Sequence, residues 1–310
     1  MNRTAFAALA LHALLSGAAA GAGTAEDDLA RARHALKRGD VAHAVEAAER
    51  AARAEPSSSE AHHWLGKAYG LAAKEASLVT QLSFAKKCRA ELARAVELDP
   101  ANLAAALDLV RYYARAPRLL GGGRDKARAL ASEIEERNRA RGTLALGVIL
   151  ESEKNPIGAE RAYRVALAAD PKDDEVLSAL ADLLTSQKRP EAAYDVCRAA
   201  AERSPEDPRP WFEIGLLSAR TGREIPRGLA ALERFVALPS AGEGPDLADG
   251  RYRRGELLAL AGDVDGARAE LAQALALEPG HAGAGATLAR LEAHERERAS
   301  GAAASGHAVR

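Results

Sequence analysis

The sequence predicts an all-α solenoid: a right-handed superhelix of about seven helix pairs closed by a capping helix. Three observations predict it. Ala, Leu, Glu and Arg dominate, whereas β-branched and aromatic residues are sparse, with aromatics only 4% of the chain; those are helix formers rather than strand formers. Prolines recur after acid-ending helical runs, at Ala54-Glu55-Pro56, Leu98-Asp99-Pro100, Ala169-Asp170-Pro171 and Leu277-Glu278-Pro279, with a weaker copy at Arg203-Ser204-Pro205. Small or apolar residues sit at fixed distances before each proline, as Ala159, Tyr163 and Ala166 do before Pro171. Small residues let two helices approach closely, and the proline closes the second helix of a pair.

The chain has 310 residues with 47% hydrophobic composition, which excludes a disordered polymer. Lys+Arg 43 against Asp+Glu 44 leaves a net charge of -1, so there is no electrostatic case for nucleic acid. Two cysteines, Cys88 and Cys197, cannot build a disulfide framework or a cysteine-rich metal site, and the phasing places both on inward helix faces.

Residues 1–25 read as a secretory signal peptide. Asn2 and Arg3 give a positive start, Thr4 to Leu15 an apolar run, and Ser16 to Ala25 a small-residue stretch in which cleavage after Ala20, Ala22 or Ala25 fits. The run is too short to span a bilayer, and no later segment is long enough, so a soluble, exported, periplasmic or secreted protein is expected.

Clusters such as Trp64-Leu65-Gly66-Lys67-Ala68-Tyr69, Leu146-Gly147, Leu180-Ala181 and Trp211-Phe212-Glu213-Ile214-Gly215 mark the first helix of each pair. Pro171 and Pro205 are 34 residues apart. This pattern resembles the tetratricopeptide repeat, a helix–turn–helix unit of that length. Seven repeats follow: 25–58, 59–102, 103–139, 140–173, 174–207, 208–247 and 248–281. Residues 282–299 form the polar capping helix and 300–310 a Gly/Ala/Ser-rich tail expected to be disordered.

Three repeats depart from the period. The second has ten extra residues between Leu71 and Ala85, without a breaker, which predicts longer helices or an added turn. The third carries Ala116-Pro117 and Gly121-Gly122-Gly123-Arg124-Asp125-Lys126 between its helices. The sixth ends in a Pro/Gly-rich break, Pro239 to Asp246, expected to flex. The first two departures, with Ala85-Lys86-Lys87-Cys88, resemble a group of exported bacterial tetratricopeptide proteins without an assigned activity.

No constellation carries chemistry. The glycine triplet has no strand before it and no hydroxyl after Lys126, so it is not a Walker phosphate loop; at most, its backbone N–H groups beside Arg124 and Lys126 would hold an anion. His62 and His63 point about 100° apart on a helix and cannot chelate one metal. No catalytic residues, cofactor or metal are expected, and the chain reads as a non-enzyme. The resemblance implies that the first helices line a concave groove. On that basis the partner-binding residues are Arg33, Lys37, His63, Trp64, Lys67, Arg111, Arg115, Arg141, Phe212 and Tyr252, with Leu29, Leu107, Leu144 and Val148 at the same register. The N-terminal half of this groove is basic, which points to an acidic or carboxylate-ended peptide or partner domain. The expected function is a protein-interaction scaffold. The alternative is a structural subunit of an envelope assembly that uses its convex face or its ends.

Overall fold

The computed structural model describes residues 24–239 and 246–307, with side chains to residue 297. Among them are fifteen α-helices and no strand. They run α1 (Ala25–Lys37), α2 (Val41–Ala54), α3 (Ser59–Glu75), α4 (Leu78–Leu98), α5 (Leu103–Arg115), α6 (Arg124–Arg137), α7 (Arg139–Ser152), α8 (Pro156–Ala169), α9 (Asp174–Ser186), α10 (Pro190–Arg203), α11 (Pro208–Thr221), α12 (Ile225–Ala237), α13 (Leu247–Ala261), α14 (Val264–Leu277) and α15 (Ala282–His307). Odd and even helices up to α14 are the first and second members of the seven repeats. The expected capping helix continues to His307, through most of the segment expected to be a disordered tail. The signal-peptide residues 1–23 and the core of the Pro/Gly break, 240–245, lie outside the described residues.

The chain divides into two compact units, residues 1–109 with 117–121, and residues 110–116 with 122–310. In the first, α1 packs on α2, α2 on α3, α3 on α4 and α1 on α3. In the second, each helix from α6 to α14 packs on its successor, and first helices touch the next repeat's first helix at α9 with α11 and α11 with α13, and the cap at α13 with α15.

Small residues set this spacing. The eighth residue of four repeats is glycine, and a Cβ there would collide with the facing helix: 2.8 Å from Leu92 at Gly66, 2.3 Å from Tyr163 at Gly147, 2.3 Å from Leu232 at Gly215 and 2.8 Å from Leu271 at Gly255. Opposite, Ala44, Ala159, Ala193 and Ala267 are fully buried. The second repeat takes up its extra length as longer helices, 17 residues in α3 and 21 in α4.

The proline junctions share one geometry. The residue before each proline ends the second helix, and its carbonyl accepts from the N–H three residues on: Ser58 to Glu55 at 3.0 Å, Asn102 to Asp99 at 3.0 Å, Asp173 to Asp170 at 3.2 Å, Asp207 to Ser204 at 3.0 Å and His281 to Glu278 at 3.0 Å. Proline presets the second position of such a turn. The donor residue is then the N-cap of the next helix. Ser58, Asn102, Asp173, Asp207 and His281 all accept a backbone N–H of the following turn. His281 accepts through Nδ1, so its proton is on Nε2, which faces Asp249.

The turn inside a repeat uses a left-handed residue in six of the seven, Gly121 in the third among them, whereas the second, joined through Ala76 and Ser77, has none. Gly39, Gly222 and Gly262 supply it in three repeats, but Lys154 (φ 59°) and Lys188 (φ 60°) do so in two. A side chain there costs about 1–2 kcal/mol.

Gly147→Ala places a methyl against the buried, hydrogen-bonded Tyr163 ring and is expected to destabilise by about 1–3 kcal/mol in urea denaturation, whereas Gly285→Ala meets nothing within 4 Å and is expected to be neutral or stabilising. Lys154→Gly is expected to raise stability by up to about 1 kcal/mol in the same assay; a loss would show that the lysine side chain contributes more than its backbone strain costs.

Candidate partner-binding surface

The predicted residues fall on the first helices of the repeats, and the two units use them differently. In the first unit, Trp64 on α3 is half-buried and sits between two cations. Lys67 Nζ lies 4.3 Å and the Arg33 guanidinium 5.2 Å from the indole centroid. Arg33 comes from α1 and also pairs with Glu60. Lys37 is exposed in the last turn of α1. Lysine and arginine on an indole face are held by its quadrupole, which keeps both charges at the surface in a fixed place. Arg33, Trp64 and Lys67 form one basic, aromatic patch.

His63 does not join it. The ring is buried, and Nε2 lies 2.9 Å from the Asp108 carboxylate, so it ties α3 to α5. Its neighbour His62 turns to the other side, with Nδ1 2.6 Å from Glu91 and Nε2 3.1 Å from the Pro56 carbonyl. The predicted divergence of the pair is what the structure has, each imidazole serving a different helix contact. Leu29, Leu107, Leu144 and Val148 are also buried, so these register positions pack helices together and offer nothing to a ligand.

In the second unit two of the three predicted arginines, Arg111 and Arg141, are already matched. Arg111 donates to Glu175 at 2.7 Å, Arg141 donates to the other Glu175 oxygen, and Arg141 Nε lies 3.1 Å from Asp173. Arg209 lies 2.7 Å from Asp207 and 3.2 Å from Asp174, and Arg220 pairs with Asp182. The basic groove expected around Arg111 and Arg141 is therefore a compensated ladder, in which the start of α9 brings carboxylates to arginines from earlier repeats. Arg115 is exposed at the end of α5. Phe212 is half-buried against Phe235, with ring centroids 5.2 Å apart. Tyr252 donates to Glu256 at 2.7 Å and lies under Arg253, 4.7 Å from its ring, with His281 on the ring at 4.8 Å.

Buried polar groups punctuate the ladder. Burial pushes the Glu213 carboxyl above the usual range against the lowering effect of its 2.5 Å hydrogen bond from Ser178, and nearby Asp182 adds to the rise. Burial likewise raises Asp173 despite Arg141. Burial and nearby Asp108 push the Cys88 thiol up to about 12, and burial raises Cys197 too. Both cysteines are inward, as phased, and poor nucleophiles.

The glycine triplet is a turn. Gly121 adopts φ 85° and its N–H donates to the Arg118 carbonyl, while Gly123 N–H donates to that of Tyr113 at 2.9 Å. A Cβ at Gly122 would lie 1.9 Å from the Ala116 carbonyl. Backbone donors at Gly121 and Gly123 are spent within the fold rather than pointed at an anion.

Tetratricopeptide repeat profiles match residues 29–76, 150–213 and 216–282, more than half of the chain. The chain belongs to the tetratricopeptide repeat family. No curated protein matches it. Among solved structures, yeast Tom70 aligns over 90% of this chain and 59% of its own length, at 14% identity and a TM-score of 0.56. A thermophilic tetratricopeptide protein of Thermus thermophilus aligns over 69% of this chain and all of its own, at 18% identity and a TM-score of 0.45. YrrB, described as having an unusual peptide-binding site, aligns over 62% of this chain and 95% of its own, at 18% identity and 0.39. Tom70 supports the fold alone. Tetratricopeptide proteins are in general protein-interaction scaffolds rather than enzymes, and the architecture here is of that kind.

The raised Glu213 carboxyl has a consequence for stability. The folded protein takes up this proton more readily than the unfolded chain, so the charged form costs stability at neutral pH and the cost is relieved as pH falls. Glu213→Gln is expected to be more stable than the parent at pH 7, by a margin that shrinks towards pH 5 in urea denaturation. No margin at pH 7, or one that grows in acid, would rule out burial as the cause.

Proposed function

We propose that this tetratricopeptide protein is an exported, non-catalytic scaffold that holds an acidic, extended peptide or partner segment on the first helices of its N-terminal repeats. The observation that carries the reading is the Arg33–Trp64–Lys67 stack. An aromatic plane flanked by cations suits a peptide that brings carboxylates and a flat or apolar side chain together. Arg111 and Arg141 are matched by Glu175 and Asp173, so the reading rests on the aromatic stack of the first unit and not on the arginines of the second. Export rests on the leader-like residues 1–25.

Labelled Asp/Glu-rich peptides are expected to bind and Lys-rich ones not to, by fluorescence anisotropy at low salt. Lys67→Glu with Trp64→Ala is expected to weaken binding by about tenfold or more, at about 0.5–2 kcal/mol for each cation–π contact and interface anchor lost. Unchanged affinity in that variant, with helical content intact, would overturn the assignment and favour an assembly built on the other face.

The leader has its own test. Thr24 caps α1 in a reciprocal box with Asp27. Cleavage after Ala20 or Ala22 preserves this cap, whereas cleavage after Ala25 removes it at about 1 kcal/mol. N-terminal sequencing of protein recovered from the cell envelope is expected to start at Gly21 or Gly23; an intact Met1 would refute export.

A further inference from the structure

The extra residues of the second repeat are of one chemical kind. From Ala76 to Phe84 the chain carries no charge, and from Ala76 to Ala90 it carries no acid, within a protein 28% charged. Leu78 is 80% exposed and Val79 82%, and Leu82, one turn on, is also open. Leu119 is 86% exposed on a 3-10 turn, Arg118–Leu120, that packs against α4. These four are the exposed large apolar side chains of the first unit among its described residues. Around them, Lys74, Lys86 and Arg118 are exposed, as is one acid, Glu75, beside Lys74.

The start of α4 is also bare of the usual anionic help. Ser77 makes no side-chain cap, and the first turn has no acid. Its N–H groups therefore keep their partial positive charge. A water-facing helix start normally has polar side chains here, and this one has Leu78 and Val79.

We propose that the α3–α4 tip is a docking surface for an anionic lipid bilayer. Leu78, Val79 and Leu82 enter the boundary between headgroups and acyl chains, and Lys74 and Lys86 meet lipid phosphates. The charge pattern selects this occupant. A second copy placed tip to tip would oppose Lys74 and Lys86 to their own kind, with Glu75 the single acid from Lys74 to Ala90 to offset them. The tip projects side chains rather than forming a groove, which suits a fluid surface. No helix among the described residues is long and apolar enough to cross a membrane, so the attachment is peripheral.

The test uses the full chain with Val79→Cys carrying an environment-sensitive fluorophore. Cys88 and Cys197 are buried, so the label goes to the introduced thiol. Vesicles of phosphatidylethanolamine with phosphatidylglycerol are expected to shift the emission to the blue and to expose the label to lipid-phase quenchers. Phosphatidylcholine vesicles or high salt should give little shift. Lys74→Glu with Lys86→Glu is expected to weaken the response by about tenfold or more, with unchanged helical content. The label reports the tip alone, so binding through the apolar leader would leave it silent. No shift with anionic vesicles, or an equal shift with phosphatidylcholine, would overturn the proposal. So would a lipid-free shift that grows with protein concentration, which would assign the tip to a second copy.

Discussion

Everything in this protein depends on how closely two helices can approach. Gly66, Gly147, Gly215 and Gly255 bring one backbone against the side chains of the next helix, and Ala44, Ala159, Ala193 and Ala267 do the same from the opposite side. Packing energy scales with atoms in contact, so a missing Cβ at the crossing gives a gain in dispersion that a larger residue would lose to overlap. The core is accordingly built from alanine with a few large anchors such as Tyr163, Leu232 and Leu271 rather than from a bulky hydrophobic centre. Each crossing is local, and the stack grows by repeating it.

That locality explains what could be read from the sequence. Helix pairs, their small-residue crossings, the proline junctions and the buried cysteines are set by neighbours within one repeat, and their spacing in the chain shows directly. The lengthened α3 and α4 were legible for the same reason. The compensation of Arg111 and Arg141 was not. Glu175 lies 64 residues beyond Arg111 and 34 beyond Arg141, and it reaches them only through stacking. Register alone treats a first-helix position as groove-facing. It also overstated His63, Leu29, Leu107, Leu144 and Val148, whose side chains turn into the helix contacts. The acids at Asp173-Asp174-Glu175 were visible as a helix start; their second role needed three dimensions. The left-handed Lys154 and Lys188 were hidden because lysine carries no mark of that conformation, whereas Gly39, Gly222 and Gly262 do.

The two units also differ in how they hold charge. In the first, Arg33 and Lys67 rest on an aromatic plane, and Arg33 also pairs with Glu60. In the second, guanidinium groups and carboxylates neutralise each other along the first helices. Charge is close to balanced in the first unit as in the whole chain, and what sets the first unit apart is the aromatic plane under two of its cations.

The proline turn also bears on how such a chain changes over evolutionary time. The residue that stops one helix and the residue that starts the next are joined by a single backbone hydrogen bond, as between Asp170 and Asp173 or between Ser204 and Asp207, so the seam carries its own ends. A duplication or excision that begins and finishes at two such seams leaves no frayed terminus and no orphaned donor. Length can then drift by whole modules while every surviving joint keeps its chemistry.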